Sequence, residues 1–196
     1  MRRLLPVLLV SLVACATTPS HDYRGEPDPF LTEYVIGPSD QLSIRVWKNP
    51  DVSSEVTVRP DGTITLPLIG DLVAVGRTPT ALQEEITKQL GNYLKGEGLV
   101  VSVAVSGANS YTFTVSGNVE RPGVFSSPRY LTVLEAIQLA GGPNRFASPS
   151  GTKLFRRLNR TSAKTRTIPI DYPRVVDGSQ PEANLILVAG DQLYVP

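Results

Sequence analysis

Glycine and proline divide this chain into short segments. The 196 residues include 16 glycines and 17 prolines, a frequency that favours many turns and short strands over a bundle of long helices. Between the turns, apolar residues alternate with polar ones, as at Leu42, Ile44 and Val46, which is the period of a strand with one buried face. We therefore expect small β-rich modules rather than one helical core.

The first half of the chain predicts a complete small α+β unit. A β-hairpin is expected over residues 56–66, with Gly62 supplying the positive φ of its turn. A helix is expected to begin at Pro79 with Thr78 as its N-cap, and an apolar residue at every fourth position would pack on the sheet. A valine-rich strand over residues 99–105, expected to be buried on both faces at its start, completes the unit.

The second half predicts a related unit that begins with an alternating strand at Tyr111. Thr132 and Glu135 have the spacing of a capping box, in which each side chain satisfies a free N–H of the helix start. Further strands are expected at residues 152–158, 165–171 and 185–195.

Several aspartates occur at predicted turns. Asp40 opens the first strand of the first unit and Asp191 opens the last strand of the second, and both are interpreted as turn caps. Asp40, Asp61 and Asp71 also raise the alternative of a carboxylate pair for glycoside hydrolysis, which needs two acids about 5–10 Å apart. Because each lies in a predicted turn, backbone capping is the favoured interpretation.

The amino terminus has the pattern of a secretory signal. Two arginines precede an apolar segment, Leu4 to Ala14, that as a helix would rise about 16 Å, too short to cross a bilayer. The segment ends at Cys15, the only cysteine in the chain, and the pattern resembles a bacterial lipobox. The sequence therefore predicts a signal peptide over residues 1–14 and lipidation of Cys15, which anchors a protein stably once two or three acyl chains are attached. An ordinary signal peptide with an incidental cysteine is the alternative.

Residues 15–33 are rich in proline and small polar residues and predict a flexible, extended tether. The one histidine, His21, lies in this segment. No ligand role is expected for it, because a flexible tether does not preorganise a site.

Composition excludes several functional classes. A formal charge of +1 gives no global attraction for nucleic acid. One cysteine and one histidine leave no disulfide framework, no Cys-cluster zinc site and no multi-histidine metal site. We expect no metal, no cofactor and no enzymatic activity.

Two sets of motifs resemble the bacterial outer-membrane polysaccharide export proteins of the Wza type. The first set, which includes Arg59-Pro60-Asp61-Gly62, covers residues 34–44, 58–64 and 67–70. The second, which includes Glu120-Arg121-Pro122-Gly123, covers residues 115–123, 131–137 and 140–142. The lipobox and the two sets in this order are more specific than any one of them.

The resemblance implies an α+β fold of two small β-rich modules. Residues 34–107 would form the polysaccharide export domain, and residues 111–196 a β-grasp domain of the SLBB (soluble-ligand-binding β-grasp) type. Members of the family assemble head to tail into a ring whose lumen passes the growing exopolysaccharide, so the implied partners are the polymer, further copies of the chain and an inner-membrane polysaccharide co-polymerase.

Larger members of the family carry additional β-grasp repeats and a membrane-crossing C-terminal helix, whereas this sequence ends on a predicted strand at Val195. The expectation is a collar attached by lipid to the outer membrane, with its folded part in the periplasm, working with a separate outer-membrane β-barrel. Ala16 after the cysteine, rather than an aspartate, resembles the sorting signal for that membrane.

Six cations occur without an intervening acid near the predicted strands of the second unit: Lys153, Arg156, Arg157, Arg160, Lys164 and Arg166. Arg156, Arg157 and Arg160 are the candidate contacts for an anionic polymer or an acidic partner. A solvated hairpin is the alternative. In the same way, Trp47, Tyr111 and Phe125 either stack on sugars or pack in the core or at an interface.

Two rival functions remain open at this stage. One is a monomeric periplasmic lipoprotein whose β-grasp module binds a glycan or a small ligand. The other is a polysaccharide hydrolase or lyase.

Overall fold

A computed structural model describes residues 21–94, 98–158 and 164–196 of the chain. Cys15 and Arg160 lie outside the described residues. The buried apolar side chains form two separate clusters. We call residues 36–107 the N-terminal module, residues 111–196 the C-terminal module, and residues 21–35 the leading segment. The α+β class with two β-rich modules is as predicted.

The N-terminal module builds two small antiparallel sheets beside one helix. The larger sheet has the order β2-β1-β5, and β3 pairs with β4 in the smaller one. The Thr78 hydroxyl accepts from the N–H of Ala81 and caps the helix, whose buried face is the predicted apolar stripe. The elements are β1 (Gln41–Val46), β2 (Ser54–Thr57), β3 (Thr63–Leu66), β4 (Gly70–Val73), α1 (Pro79–Leu90) and β5 (Val101–Gly107).

The hairpin predicted over residues 56–66 is wrong in its pairing, although its turn is present. Gly62 has a φ of +84° and its N–H donates to the carbonyl of Arg59, but β2 pairs with β1 and β3 pairs with β4. Leu68 and Gly70 both have positive φ values, which reverse the chain directly after β3. This tight turn gives β3 a nearer partner than β2.

The burial predicted for both faces of the strand over residues 99–105 is also wrong. Val100 is exposed, and β5 alternates between buried or half-buried and exposed positions from Val101 onward. Helix α1 packs against β5, which accounts for one buried face.

The C-terminal module is a five-stranded mixed sheet in the order β7-β6-β10-β8-β9. Strand β10 lies parallel to β6, and the other pairs are antiparallel. The predicted final strand is shorter than expected and covers only the last four positions before Pro196. The elements are β6 (Thr112–Gly117), β7 (Gly123–Ser126), α2 (Val133–Leu139), β8 (Thr152–Arg157), β9 (Thr165–Ile170), α3 (Tyr172–Val176) and β10 (Gln192–Val195).

Helix length in the two modules is modest, and α1 is the longest helix with 12 residues. Throughout the described parts of the chain, no helix combines the length and the apolar character that a membrane crossing requires.

Residues 21–33 do not form the flexible tether that is predicted over residues 15–33. Residues 15–20 lie outside the described residues. The leading segment contains two 3-10 turns, Tyr23–Gly25 and Pro29–Leu31, each capped by an aspartate. Tyr23 is 8% exposed within the C-terminal core, and its hydroxyl donates to the carbonyl of Pro169 at 2.7 Å. Burial of this ring and the capped turns offset the entropy of ordering the segment.

Helix α2 begins with the predicted capping box. The Thr132 hydroxyl accepts from the N–H of Glu135 at 3.3 Å, and the Glu135 carboxylate accepts from the N–H of Thr132 at 2.9 Å. Arg129 also donates to this carboxylate at 2.9 Å. The hydrogen bonds from Arg129 and then from the Thr132 N–H lower the pKa of Glu135 below its ordinary value.

We predict that Glu135→Gln lowers the free energy of unfolding by about 0.5 kcal/mol at pH 7, because a charge beside Arg129 and a helix start is lost. A carboxylate whose pKa is lower in the folded than in the unfolded state stabilises the protein at pH values above its unfolded pKa. This stabilisation is lost as the pH falls through its folded pKa. The difference between wild type and variant should therefore be smaller at pH 3 than at pH 7. Urea unfolding at both pH values measures this, with Glu120→Gln as the exposed control. A difference that persists unchanged at pH 3 would refute the assignment.

Candidate functional site

The guanidinium of Arg156 is buried inside the C-terminal module. Its side chain is 3% exposed, because Arg156 lies on the core-facing side of β8. Its Nε and Nη2 donate to the carboxylate of Asp191, at 2.7 Å for the shortest bond, and Nη2 also donates to the carbonyl of Ile186 at 2.8 Å. A buried charge is tolerated when it is paired and hydrogen-bonded in this way.

Asp191 does more than cap a turn. Its carboxylate accepts from the N–H of Val188, three residues earlier, which is the predicted capping contact. The same carboxylate holds Arg156 on β8. The turn before β10 is therefore tied to the neighbouring strand by a charged pair.

Glu26 connects the leading segment to this buried pair. Its carboxylate accepts from Arg156 at 3.3 Å and from Arg166 of β9 at 2.6 Å, and His21 lies 3.0 Å away on the other oxygen. The Glu26 side chain is 2% exposed. Sequence reasoning missed this residue, since no local pattern shows that an acid pairs with cations 130 and 140 positions later.

A second buried aspartate ties the N-terminal module to the leading segment and to Ser110, which lies at the boundary between the modules. Asp40 is fully buried and accepts from the N–H of Gly37, the N–H and hydroxyl of Ser110, and the hydroxyl of Tyr34. The Tyr34 bond is 2.7 Å, and burial raises the pKa of the Tyr34 hydroxyl, which keeps it a donor. Gly37 is three residues before Asp40, the offset that Val188 has from Asp191. The repeated Asp was the sequence signal for this shared local geometry.

A cleft lies between the modules and the leading segment. Its volume is about 640 Å³. Its lining includes Glu33, Tyr34 and Pro38 together with Tyr130, Arg157 and Gly190. We call it the module cleft. The bonds of Asp40 and Glu26 hold its walls together, because they join the same three parts of the chain.

Of the two predicted cationic contacts that the structure describes, one lies in the module cleft. Arg157 lies on the exposed face of β8 and lines the cleft. The polymer contact predicted for Arg156 is wrong. Its side chain points into the core and is saturated by Asp191, Glu26 and a carbonyl, so it presents no charge to a polymer. Arg160 falls outside the described residues.

The carboxylates weighed for glycoside hydrolysis are all engaged by donors. Asp61 and Asp71 share the guanidinium of Arg59, at 2.6 and 3.2 Å, while Asp40 is buried at the junction. Hydrogen bonds from Thr63 and Thr65, together with Arg59, lower the pKa values of Asp61 and Asp71. An acid with a lowered pKa is a poor proton donor at neutral pH. Within the described residues, no group of three or more His, Cys, Asp or Glu is placed to hold a metal ion.

The three aromatic candidates have different environments. Tyr111 is buried, donates to the carbonyl of Leu187 and accepts from the N–H of Leu131, so it belongs to the core. Phe125 stacks on Phe113 with the ring centroids 5.9 Å apart. Trp47 is 66% exposed and remains a surface residue.

Family models match both halves of the chain. A model described as polysaccharide biosynthesis/export protein matches residues 29–106, and an SLBB domain model matches residues 112–166. The predicted boundaries 34–107 and 111–196 remain predictions.

Several curated proteins are similar to the chain. An exopolysaccharide production protein, ExoF, of Rhizobium meliloti is 36% identical over 123 residues, 58% of this chain and 29% of the relative. The EPS I polysaccharide export outer membrane protein EpsA of Ralstonia nicotianae is 28% identical over 84% of this chain and 47% of its own length. The capsule polysaccharide export protein BexD of Haemophilus influenzae is 24% identical over 80% and 42%. The chain thus spans less than half the length of these relatives.

We predict that Asp191→Asn destabilises the protein by about 3 kcal/mol, because it leaves the buried charge of Arg156 short of its main partner. Chemical unfolding at pH 7 measures the loss. Asp177→Asn is the matched control, since Asp177 is exposed and its hydrogen bonds come from the nearby Ser179; its cost should stay within about 0.5 kcal/mol. Equal effects of the two substitutions would contradict the role given to Asp191.

Proposed function

We propose that the chain is a bacterial outer-membrane polysaccharide export protein and acts as a lipid-anchored component of an exopolysaccharide or capsule export machine. The observation that carries the proposal is the order of its two domains, an export domain followed by an SLBB domain. Relatives named as export proteins extend across both, over 80% or more of the chain.

The proposed mode of action is a ring that guides the polymer toward the cell surface without changing it covalently. A head-to-tail ring needs two different complementary faces on each subunit. Each module offers an unpaired strand edge among the described strands: β5 pairs only with β1, and β7 only with β6. Strand β9 is less available, because Pro169 cannot donate and its carbonyl is taken by Tyr23.

Strand β7 is the edge we assign to the contact between neighbouring subunits. Val124 at its centre is 72% exposed. An exposed apolar residue on an open edge is the kind of position that a second chain covers. The partner edge would be β5 of the next copy.

The anchor and the location complete the proposal. Lipid on Cys15 would hold the chain at the inner face of the outer membrane, with both modules in the periplasm. An inner-membrane polysaccharide co-polymerase would deliver the polymer to the ring.

We predict that Val124→Asp prevents assembly while leaving the subunit folded, because a charge replaces apolar surface at the β7 edge. Light scattering on purified protein should give the mass of a multi-subunit ring for wild type and of a monomer for the variant. Val176→Asp, at an exposed valine on α3, should assemble like wild type. If Val124→Asp also assembles like wild type, the β7 edge is not the interface.

We further predict that a strain lacking the gene loses surface polysaccharide, and that a Cys15→Ser copy fails to restore it although the wild-type copy does. Immunoblotting confirms that both proteins accumulate, and surface polysaccharide is quantified on whole cells. A deletion strain with a normal coat would remove the export function. A monomer that binds glycan without supporting export would instead favour the rival binding lipoprotein.

A further inference from the structure

The charge balance of the module cleft indicates what it binds. Within the described residues, the side chain of Arg157 has no carboxylate or hydrogen-bond partner. One acid also lines the cleft: Glu33 accepts a hydrogen bond from the hydroxyl of Thr80 on α1 and keeps its negative charge. The buried carboxylate of Asp40 accepts four hydrogen bonds, one of them from Tyr34. Among the described residues, the cleft thus holds one cation, Arg157, that has no carboxylate partner, together with one carboxylate, Glu33, whose donor is a neutral hydroxyl.

Aromatic side chains that are held in place line the same cleft as Arg157. The ring of Tyr130 meets Tyr111 edge to face with centroids 5.1 Å apart, and meets Phe30 in the same way at 5.5 Å. Tyr34, which also lines the cleft, is held by its bond to Asp40. Rigid aromatic walls give contact area at little entropic cost, and the C–H face of a pyranose ring is the apolar surface that such walls accept.

We propose that the module cleft binds an acidic sugar residue, with Arg157 pairing with its carboxylate and Tyr34 and Tyr130 packing against its ring. The volume of about 640 Å³ lies in the range of about 300–1,000 Å³ typical of small-molecule sites. Gly190 has a φ of +86°, and a Cβ there would meet no atom within 4 Å. The backbone at this position therefore leaves open space beside the cation.

The cleft is also the place where a bound sugar would touch all three parts of the chain. Glu33 belongs to the leading segment, Pro38 to the N-terminal module and Arg157 to the C-terminal module. The inference rests on the proposed function for the source of the sugar, the exported polymer. The site itself is defined by the cleft alone.

Binding is tested on the purified full-length protein with short oligogalacturonate, oligoglucuronate and oligomannuronate chains as probes. Their neutral methyl esters are the matched ligands, and calorimetry measures affinity at two salt concentrations. Wild type should bind at least one acid form, and its affinity for that form should fall at high salt. Its affinity for the matching methyl ester should be at least tenfold lower. Arg157→Ala should lose at least tenfold in affinity for the acid form, and Arg157→Lys should lose less.

Lys153→Ala is the matched control, because Lys153 is an exposed cation on the same face of β8 but does not line the cleft. It should bind like wild type, and thermal unfolding should show all three variants folded. Absence of binding by every acidic probe, or equal affinity of Arg157→Ala and wild type, overturns the inference. Export in cells separates the two claims: the cleft proposal alone fails if the deletion strain loses its polysaccharide while the purified protein ignores acidic sugars.

Discussion

The buried guanidinium of Arg156 is the constraint on which the C-terminal module depends. A charge at this depth is stable only with near-complete compensation, and the chain supplies it from two distant places. Asp191 fixes the turn before β10 against β8, and Glu26 brings in the leading segment. The residues that precede the first module therefore pack on the second one before the chain enters the first.

Asp40 fastens the N-terminal module to its neighbours with hydrogen bonds instead of an ion pair. It binds Ser110 at the boundary and Tyr34 at the entrance to the N-terminal module. Together with Glu26 it closes a loop of contacts through all three parts of the chain. The module cleft follows from this arrangement, because its walls come from parts that the two buried acids hold in place. Buried polar networks supply rigidity, so these walls keep a fixed shape.

Local signals in the sequence predicted local structure well. The caps at Thr78 and Thr132 and the positive φ of Gly62 were read from neighbouring residues, which also determine them physically. Pairing was harder, since β2 and β3 each had a competing partner. The run of cations predicts a surface position for Arg156, because it shows charge only. It does not show the acid, 130 positions away, that pairs with Arg156 in the core. The aromatic walls of the cleft had no sequence signal, because they meet only in the folded chain.

The central claim is that copies of this two-module unit act together, through their shape, as a passage for polysaccharide. Electron microscopy of the lipidated protein, extracted in detergent from the outer membrane, tests it most directly. The account predicts closed rings of repeating subunits around an open lumen. Isolated single subunits under the same conditions, at concentrations matching those in the membrane, would contradict it.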